Sequence, residues 1–137
     1  MAVQEGRGGS LERTEVVQAI ASTRHGLLAT ITPKGAVHTV LVNPFWLESR
    51  ECIAVFSRRR SQKVVNLENR STATITLIEG AKYFAMLGVA TVVDDGDEVE
   101  RCLPAFYAKY QRFPAEAADR VVIYLNVERT LGGLSLR

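Results

Sequence analysis

The sequence predicts a mainly β fold, a small β-barrel of six strands with short helices, and three observations carry that expectation. Ser71–Ile78 alternates strictly, with Ala73, Ile75 and Leu77 opposite Thr72, Thr74 and Thr76, the period of a half-buried strand. Turn signals at Pro33-Lys-Gly35 and Glu79-Gly-Ala81 join neighbouring apolar runs into hairpins. Three short helical stretches among six mostly antiparallel strands suit a small barrel better than a doubly wound sheet.

Residues 1–10 contain Gly6, Gly8 and Gly9 without an apolar run. They read as a flexible N-terminal tail and lack the pattern of a signal peptide, leaving 11–137 as a single domain. Ser10 is placed to cap a helix over 11–22, whose Val16, Val17, Ala19 and Ile20 form an apolar stripe. Residues 26–32 follow as a strand with Leu27, Ala29 and Ile31 on one face, and 36–42 return as the second arm of a hairpin. A turn near 48–51 leads into a third strand ending at Phe56, and Val64, Val65, Leu67 and Glu68 suit a short helix. Lys82–Val93 is apolar on both faces around Gly88; in so small a domain this implies that a second subunit covers one face, hence a homodimer. Asp94–Asp97 opens an acidic helical segment in which Val99, Leu103, Phe106, Tyr107 and Tyr110 share a face, with Pro104 expected to kink or divide it. Arg120–Val127 is the closing strand.

At 137 residues, 47% hydrophobic and 23% charged, the chain has the composition of an ordinary soluble globule. Its net charge of +2 owes much to one short segment, which points to a local anion as partner; a nucleic-acid binder would carry a broader basic stripe interleaved with aromatics. Cys52 and Cys102 sit in apolar settings without metal-ligand spacing and read as buried hydrophobes in a reducing compartment. The lack of any apolar run near ~20 residues excludes a membrane-spanning helix, and a cytoplasmic location is expected.

The segment Ser57-Arg-Arg-Arg-Ser-Gln-Lys-Val-Val-Asn66 places four cations, two hydroxyls and two amides where a strand turns into a helix. Helix N-termini favour phosphates through free N–H groups and the helix dipole. A charge run alone is a solvated face, but the interleaved Ser61, Gln62, Lys63 and Asn66 make a convergent set of donors. No Gly-x-Gly-x-x-Gly, Walker loop or nucleophile elbow is present, and His25 and His38 lack companion ligands for zinc. Any redox chemistry would therefore come from a cofactor.

The order hairpin, third strand, Ser/Arg-rich loop with Gln62-Lys63-x-x-Asn66, alternating strand, Gly80-Ala-Lys-Tyr-Phe-Ala-Met-Leu-Gly88 and closing Arg120-Val-Val-Ile resembles the pyridoxamine-phosphate-oxidase-like split barrel. This is the flavin/deazaflavin oxidoreductase family, and the resemblance covers roughly residues 11–134. Pro33 to His38, Ser61 to Asn66, Gly80 to Tyr83 and Arg120 to Gly132 are most similar to the branch using the deazaflavin coenzyme F420, including biliverdin reductases.

The resemblance implies an FMN-binding type of split barrel, a homodimer with cofactors in grooves between subunits, and hydride transfer from reduced F420 to a conjugated acceptor such as biliverdin or another tetrapyrrole. It implies that Ser61 and Lys63 contact the phosphate beside Ser57, with Gln62 and Asn66 as supporting amides. The ring edge would lie along His38, Thr39 and Val40. Val40 and Leu41 replace polar residues of some relatives, which leaves backbone groups to bind the pyrimidine edge. Arg58, Arg59 and Arg60 would hold the carboxylate-rich glutamyl tail, and Tyr83 would reach the partner's cofactor. His38 reads equally as a hydrogen-bonded sheet residue, and Trp46 as core or as a stacking wall. No catalytic side chain is assigned. The alternatives are an FMN-dependent oxidase or reductase of the same fold, a flavin-binding protein without turnover, or a small nucleic-acid binder.

Overall fold

A computed structural model describes residues 10–134, with the side chains of 10–12 outside the described part; the expected flexible tail and the Ser10 side-chain cap therefore lie outside it. The chain runs α1 (Ser10–Ser22), β1 (Gly26–Ile31), β2 (Val37–Val42), β3 (Phe45–Leu47), β4 (Cys52–Arg58), α2 (Gln62–Asn69), β5 (Thr72–Glu79), β6 (Lys82–Val93), α3 (Gly96–Arg101), α4 (Leu103–Tyr110) and β7 (Arg120–Gly132). The architecture is mainly β, as expected; the expected six strands are corrected to seven, and they do not close into a full barrel. Seven strands form one antiparallel sheet in the order β2-β1-β5-β6-β7-β4-β3, with β2 and β3 at its edges.

Two apolar cores explain why the strands differ in pattern. One contains Val16 and Ile20 of α1, Val64 and Leu67 of α2, and Leu28, Ile53, Ile75, Met86 and Ile123 from the sheet. The other packs α3 and α4, through Val99, Phe106 and Tyr110, against Phe45, Ala54, Val122 and Tyr124. β4 and β7 are thus covered on both faces and read as continuous apolar runs, whereas β5 contributes only Ala73, Ile75 and Leu77 to the interior and alternates. Pro104 divides the helical segment, as one expected outcome had it. It sits in the first turn of α4, where a missing N–H costs nothing, while Asp95 caps α3 by accepting from the N–H groups of Asp97 and Glu98.

Two strand details depart from the sequence expectation, and one is completed by the structure. Leu27, Ala29 and Ile31 of β1 share a face as expected, and it is the outer one, with Leu28 and Thr30 turned inward. The three-residue β3 precedes the turn expected near 48–51, where no strand is expected, and β7 continues five residues past Val127. A register shift between Leu87 and Gly88 marks a bulge where Asn126 O approaches Gly88 closely; a Cβ there would stand 1.9 Å from that oxygen.

Val37, Leu41, Ile78, Tyr83 and Val89 are 38–68% exposed. The strand register puts all of them on the outer face of β2, β5 and β6, together with the half-buried Leu27 and Ile31 of β1. Among the described residues no helix is long and apolar enough to cross a membrane.

Candidate functional site

The turn from β4 into α2 is built by backbone and hydroxyl contacts. Ser61 N–H donates to Arg58 O at 3.1 Å, and Val64 and Val65 N–H both donate to Ser61 O. The Ser61 side chain does not cap the helix. Its Oγ lies 2.7 Å from Ser57 Oγ, which in turn donates to Arg58 O. No side chain therefore closes the first turn of α2, and its forward N–H groups remain open to an anion.

Lys63 stands on that first turn, half-buried, and burial pulls its pKa below the usual lysine range. No carboxylate among the described residues lies within ion-pair distance of it. A desolvated ammonium without a counter-charge gains most from an incoming phosphate.

The three arginines fare differently. Arg58 Nε donates to Asp119 Oδ1 and holds that carboxyl below its usual range. Arg59 pairs with Glu68 at 2.9 Å and, more distantly, with Asp94 at 3.8 Å. Only Arg60 is exposed and without an ion pair among the described residues. Two of the three charges expected to form an arginine clamp are thus already met by acids of this chain, and a bound anionic tail would draw Arg58 and Arg59 from those exposed pairs.

Asn66 is fully buried and acts as a strut. Its Oδ1 accepts from Gln62 Nε2 at 2.7 Å, and its Nδ2 donates to Thr30 Oγ1 at 3.0 Å. The two amides thus tie the anion turn to β1, and neither Asn66 polar atom points outward for a ligand. Thr30, which sequence reasoning missed, is the far end of the strut; a lone hydroxyl within the apolar alternation of β1 was its only signal.

His38 pairs directly with Thr30 across the β1–β2 ladder. Residues opposite one another share a face, so His38 stands on the inner side beside the strut. Its Nδ1 is buried and has no hydrogen-bond partner, a costly state unless a ligand or water fills it. Val40 shares that face and packs on the core, whereas Thr39 points to the opposite, exposed face. The side chains of His38, Thr39 and Val40 therefore do not converge.

Tyr83 is likewise remote. Ala29, next to Thr30, pairs with Thr74, which pairs with Leu87; Tyr83 lies four residues further along β6, about 13 Å by strand rise, and on the outer face, with its ring over Gly132. Trp46 is half-buried in β3, bonded through Nε1 to Glu48 at 2.9 Å; it pairs with Ile53 of the neighbouring β4, about 16 Å by strand rise before the turn at Arg58.

Residues 13–132 match the family described as Pyridoxamine 5'-phosphate oxidase. The chain is 34% identical over 120 residues, 86% of each sequence, to the F420H(2)-dependent biliverdin reductase of Mycobacterium tuberculosis (strain CDC 1551 / Oshkosh). Among solved structures, the conserved hypothetical protein Rv2991 of Mycobacterium tuberculosis superposes with a TM-score of 0.76 at 22% identity, over 88% of this chain and 82% of that one. A structure named F420 Reductase gives 0.66 at 20% identity, over 82% and 93%. These two structural likenesses establish the fold.

Proposed function

The chain belongs to the pyridoxamine 5'-phosphate oxidase family, and on that premise we propose that it is a flavin- or deazaflavin-dependent oxidoreductase. Specifically, it uses reduced coenzyme F420 to reduce a conjugated acceptor of the tetrapyrrole class. The observation that carries this reading is the unopposed Lys63 ammonium on the uncapped first turn of α2, within a fold 34% identical to an F420H(2)-dependent biliverdin reductase.

The residues present fit such a group. Lys63 and Ser61, with the open N–H groups of α2, hold the phosphate, and the orphaned Nδ1 of His38 supplies a polar contact beside it. The deazaflavin, when bound, supplies the hydride chemistry. This chain positions the cofactor: the Gln62–Asn66–Thr30 strut fixes the phosphate turn against β1, so that the backbone of β2 stands at a set distance from it. Arg60 is the cation left for the glutamyl tail, and the proton needed by the acceptor is assigned to solvent.

The outer face of β1, β2, β5 and β6 is the surface on which a second copy would sit, completing the groove and bringing its own Tyr83 to the site. Exposed large apolar residues gathered on one sheet face support that assembly.

A second reading, FMN in the same site, is favoured by the ion pairs of Arg58 and Arg59. They remove much of the cationic surplus that a long anionic tail would require. Titrating the purified protein with F420 and with FMN, then assaying the reduced form of the binder with biliverdin, separates the readings. Saturable F420 binding with F420H2-dependent bleaching of biliverdin is expected. FMN binding with no response to F420 would overturn the F420 assignment.

A further inference from the structure

On the side of the molecule where α1 and α4 meet β3, an apolar groove of about 360 Å³ is lined by Val17, Ile20, Trp46, Ala105, Ala108 and Lys109. Lys109 also borders a smaller pocket of about 150 Å³, shared with Arg24 and Tyr110. The two concavities thus meet at one ammonium, an apolar trough on one side and a polar recess on the other. The larger volume falls in the range of small-molecule sites.

The charges at this junction are all of one sign. Lys109 Nζ donates to Pro44 O at 2.6 Å and lies 4.8 Å from the centre of the Tyr110 ring. Arg24 and Arg112 stand over the same ring at 5.6 and 5.9 Å. Tyr110 Oη is itself committed to Pro44 O and Arg24 O, at 2.7 and 2.8 Å. None of the three cations has an ion pair among the described residues. Among the described residues no acid lines either concavity, and Glu48, bonded to Trp46 at the other end of the groove, is already held by Trp46 Nε1 and Arg13. Burial and the like charge of Arg24 pull the Lys109 pKa down to about 8, the mark of an ammonium lacking compensation.

We propose that this groove binds a small amphipathic carboxylate, its apolar body along Trp46, Val17, Ile20 and the two alanines, and its carboxylate at Lys109 and Arg24. The ammonium uses one of its donors on Pro44 and has two left for the ligand. The fit is one of charge complementarity joined to an apolar wall, and it is independent of the redox reading.

The chain has a single tryptophan, Trp46, so its fluorescence reports on the groove alone. The experiment titrates the full-length protein with sodium decanoate below its micelle concentration, and with 1-decanol as the uncharged analogue. A saturable fluorescence change with decanoate is expected, with decanol binding at least tenfold more weakly. Lys109→Met should weaken decanoate at least tenfold and leave decanol unchanged, and the exposed Arg24→Gln should act in the same direction if Lys109→Met does not fold. F420 or FMN binding should be the same in both variants and in wild type, which keeps this test apart from that of the proposed redox function. No saturable change with decanoate, equal affinity for decanoate and decanol, or wild-type decanoate binding by a folded variant would overturn the proposal.

Discussion

Replacing Thr30 by Val tests whether the anion turn is held by the buried strut. The substitution keeps side-chain shape and removes the oxygen that accepts from Asn66 Nδ2 at 3.0 Å. Thr30 is 1% exposed and Asn66 0% exposed, so no water replaces the lost acceptor. A buried donor left unpaired costs about 1–3 kcal/mol; with roughly 3 °C of melting temperature per kcal/mol for a chain of this size, Thr30→Val should melt about 3–9 °C below wild type. Thr30→Ser, which retains the hydroxyl, should recover most of that loss. Asn66→Ala should cost more than Thr30→Val, because it also releases Gln62 and opens a small void. A double-mutant cycle with Thr30→Val and Asn66→Leu should show a coupling of about 1 kcal/mol or more, since replacing both partners removes the stranded group. The assay is calorimetric or circular-dichroism melting, paired with a cofactor titration in which the loosened turn should bind several-fold more weakly. A melting temperature and a cofactor affinity both equal to wild type in Thr30→Val would refute the strut.

Lys63→Ala removes an uncompensated charge from the proposed phosphate site, worth about 1.5–3 kcal/mol or roughly tenfold to a hundredfold in cofactor affinity by titration; Arg58→Ala, whose guanidinium is exposed and already paired with Asp119, should change affinity by about fivefold or less. Gly88→Ala drives a Cβ into Asn126 O and should cost about 3 kcal/mol or more in urea unfolding, or leave no folded protein; a midpoint near wild type would contradict the close approach. Leu41→Lys places a charge on the exposed apolar face, at its β2 edge, and light scattering should show it shifting a dimer towards monomer without loss of secondary structure. Burial pushes the Cys52 thiol up to about 12, with Cys102 adding to the shift, and raises Cys102 as well. Both folded values exceed the ordinary 9.0, so the stability from keeping these thiols neutral is full below pH 9 and is lost as pH rises through the folded values. Iodoacetamide at pH 8 should accordingly label neither cysteine in the folded protein and both in urea, as read by mass spectrometry.

What the sequence revealed and what it hid follow from the range of the interactions concerned. β5 was legible because its inner and outer residues differ in kind, Ala73, Ile75 and Leu77 against threonines. Alternation groups Leu27, Ala29 and Ile31 of β1 on one face, but which face turns inward is hidden because its outer residues are as apolar as its inner ones; the deciding contact joins Thr30 to Asn66, 36 positions away. β3 is three residues long and directly follows Pro44, too short to show a period. The turn at Ser57–Asn66 was visible from local composition alone. Its charge balance was not, since Asp119 comes from the far side of α4 and Asp94 from the end of β6. Thr39 shares the second-strand stretch expected along the ring edge, but strand alternation turns it to the exposed face, whereas Tyr83, expected at the partner's cofactor, lies on the outer face proposed to meet a second copy.

The bulge between β6 and β7 acts on the C-terminal strand as a reading-frame shift acts on a message. Inward residues of β7 are odd-numbered through Val121, Ile123, Leu125 and Val127, and then Glu128 is skipped so that the buried Thr130 takes the next inward place, opposite Met86. A period of two applied from Arg120 therefore loses its phase at residue 128, which is why the strand was expected to stop at 127. The same arithmetic ranks single-residue deletions along the strand. Loss of Glu128 removes only the extra residue and leaves an unbroken ladder, with every side chain still facing as before. Loss of one residue between Val121 and Leu125 would instead turn the neighbouring inward side chains outward and drag Tyr124 across the sheet from one core to the other.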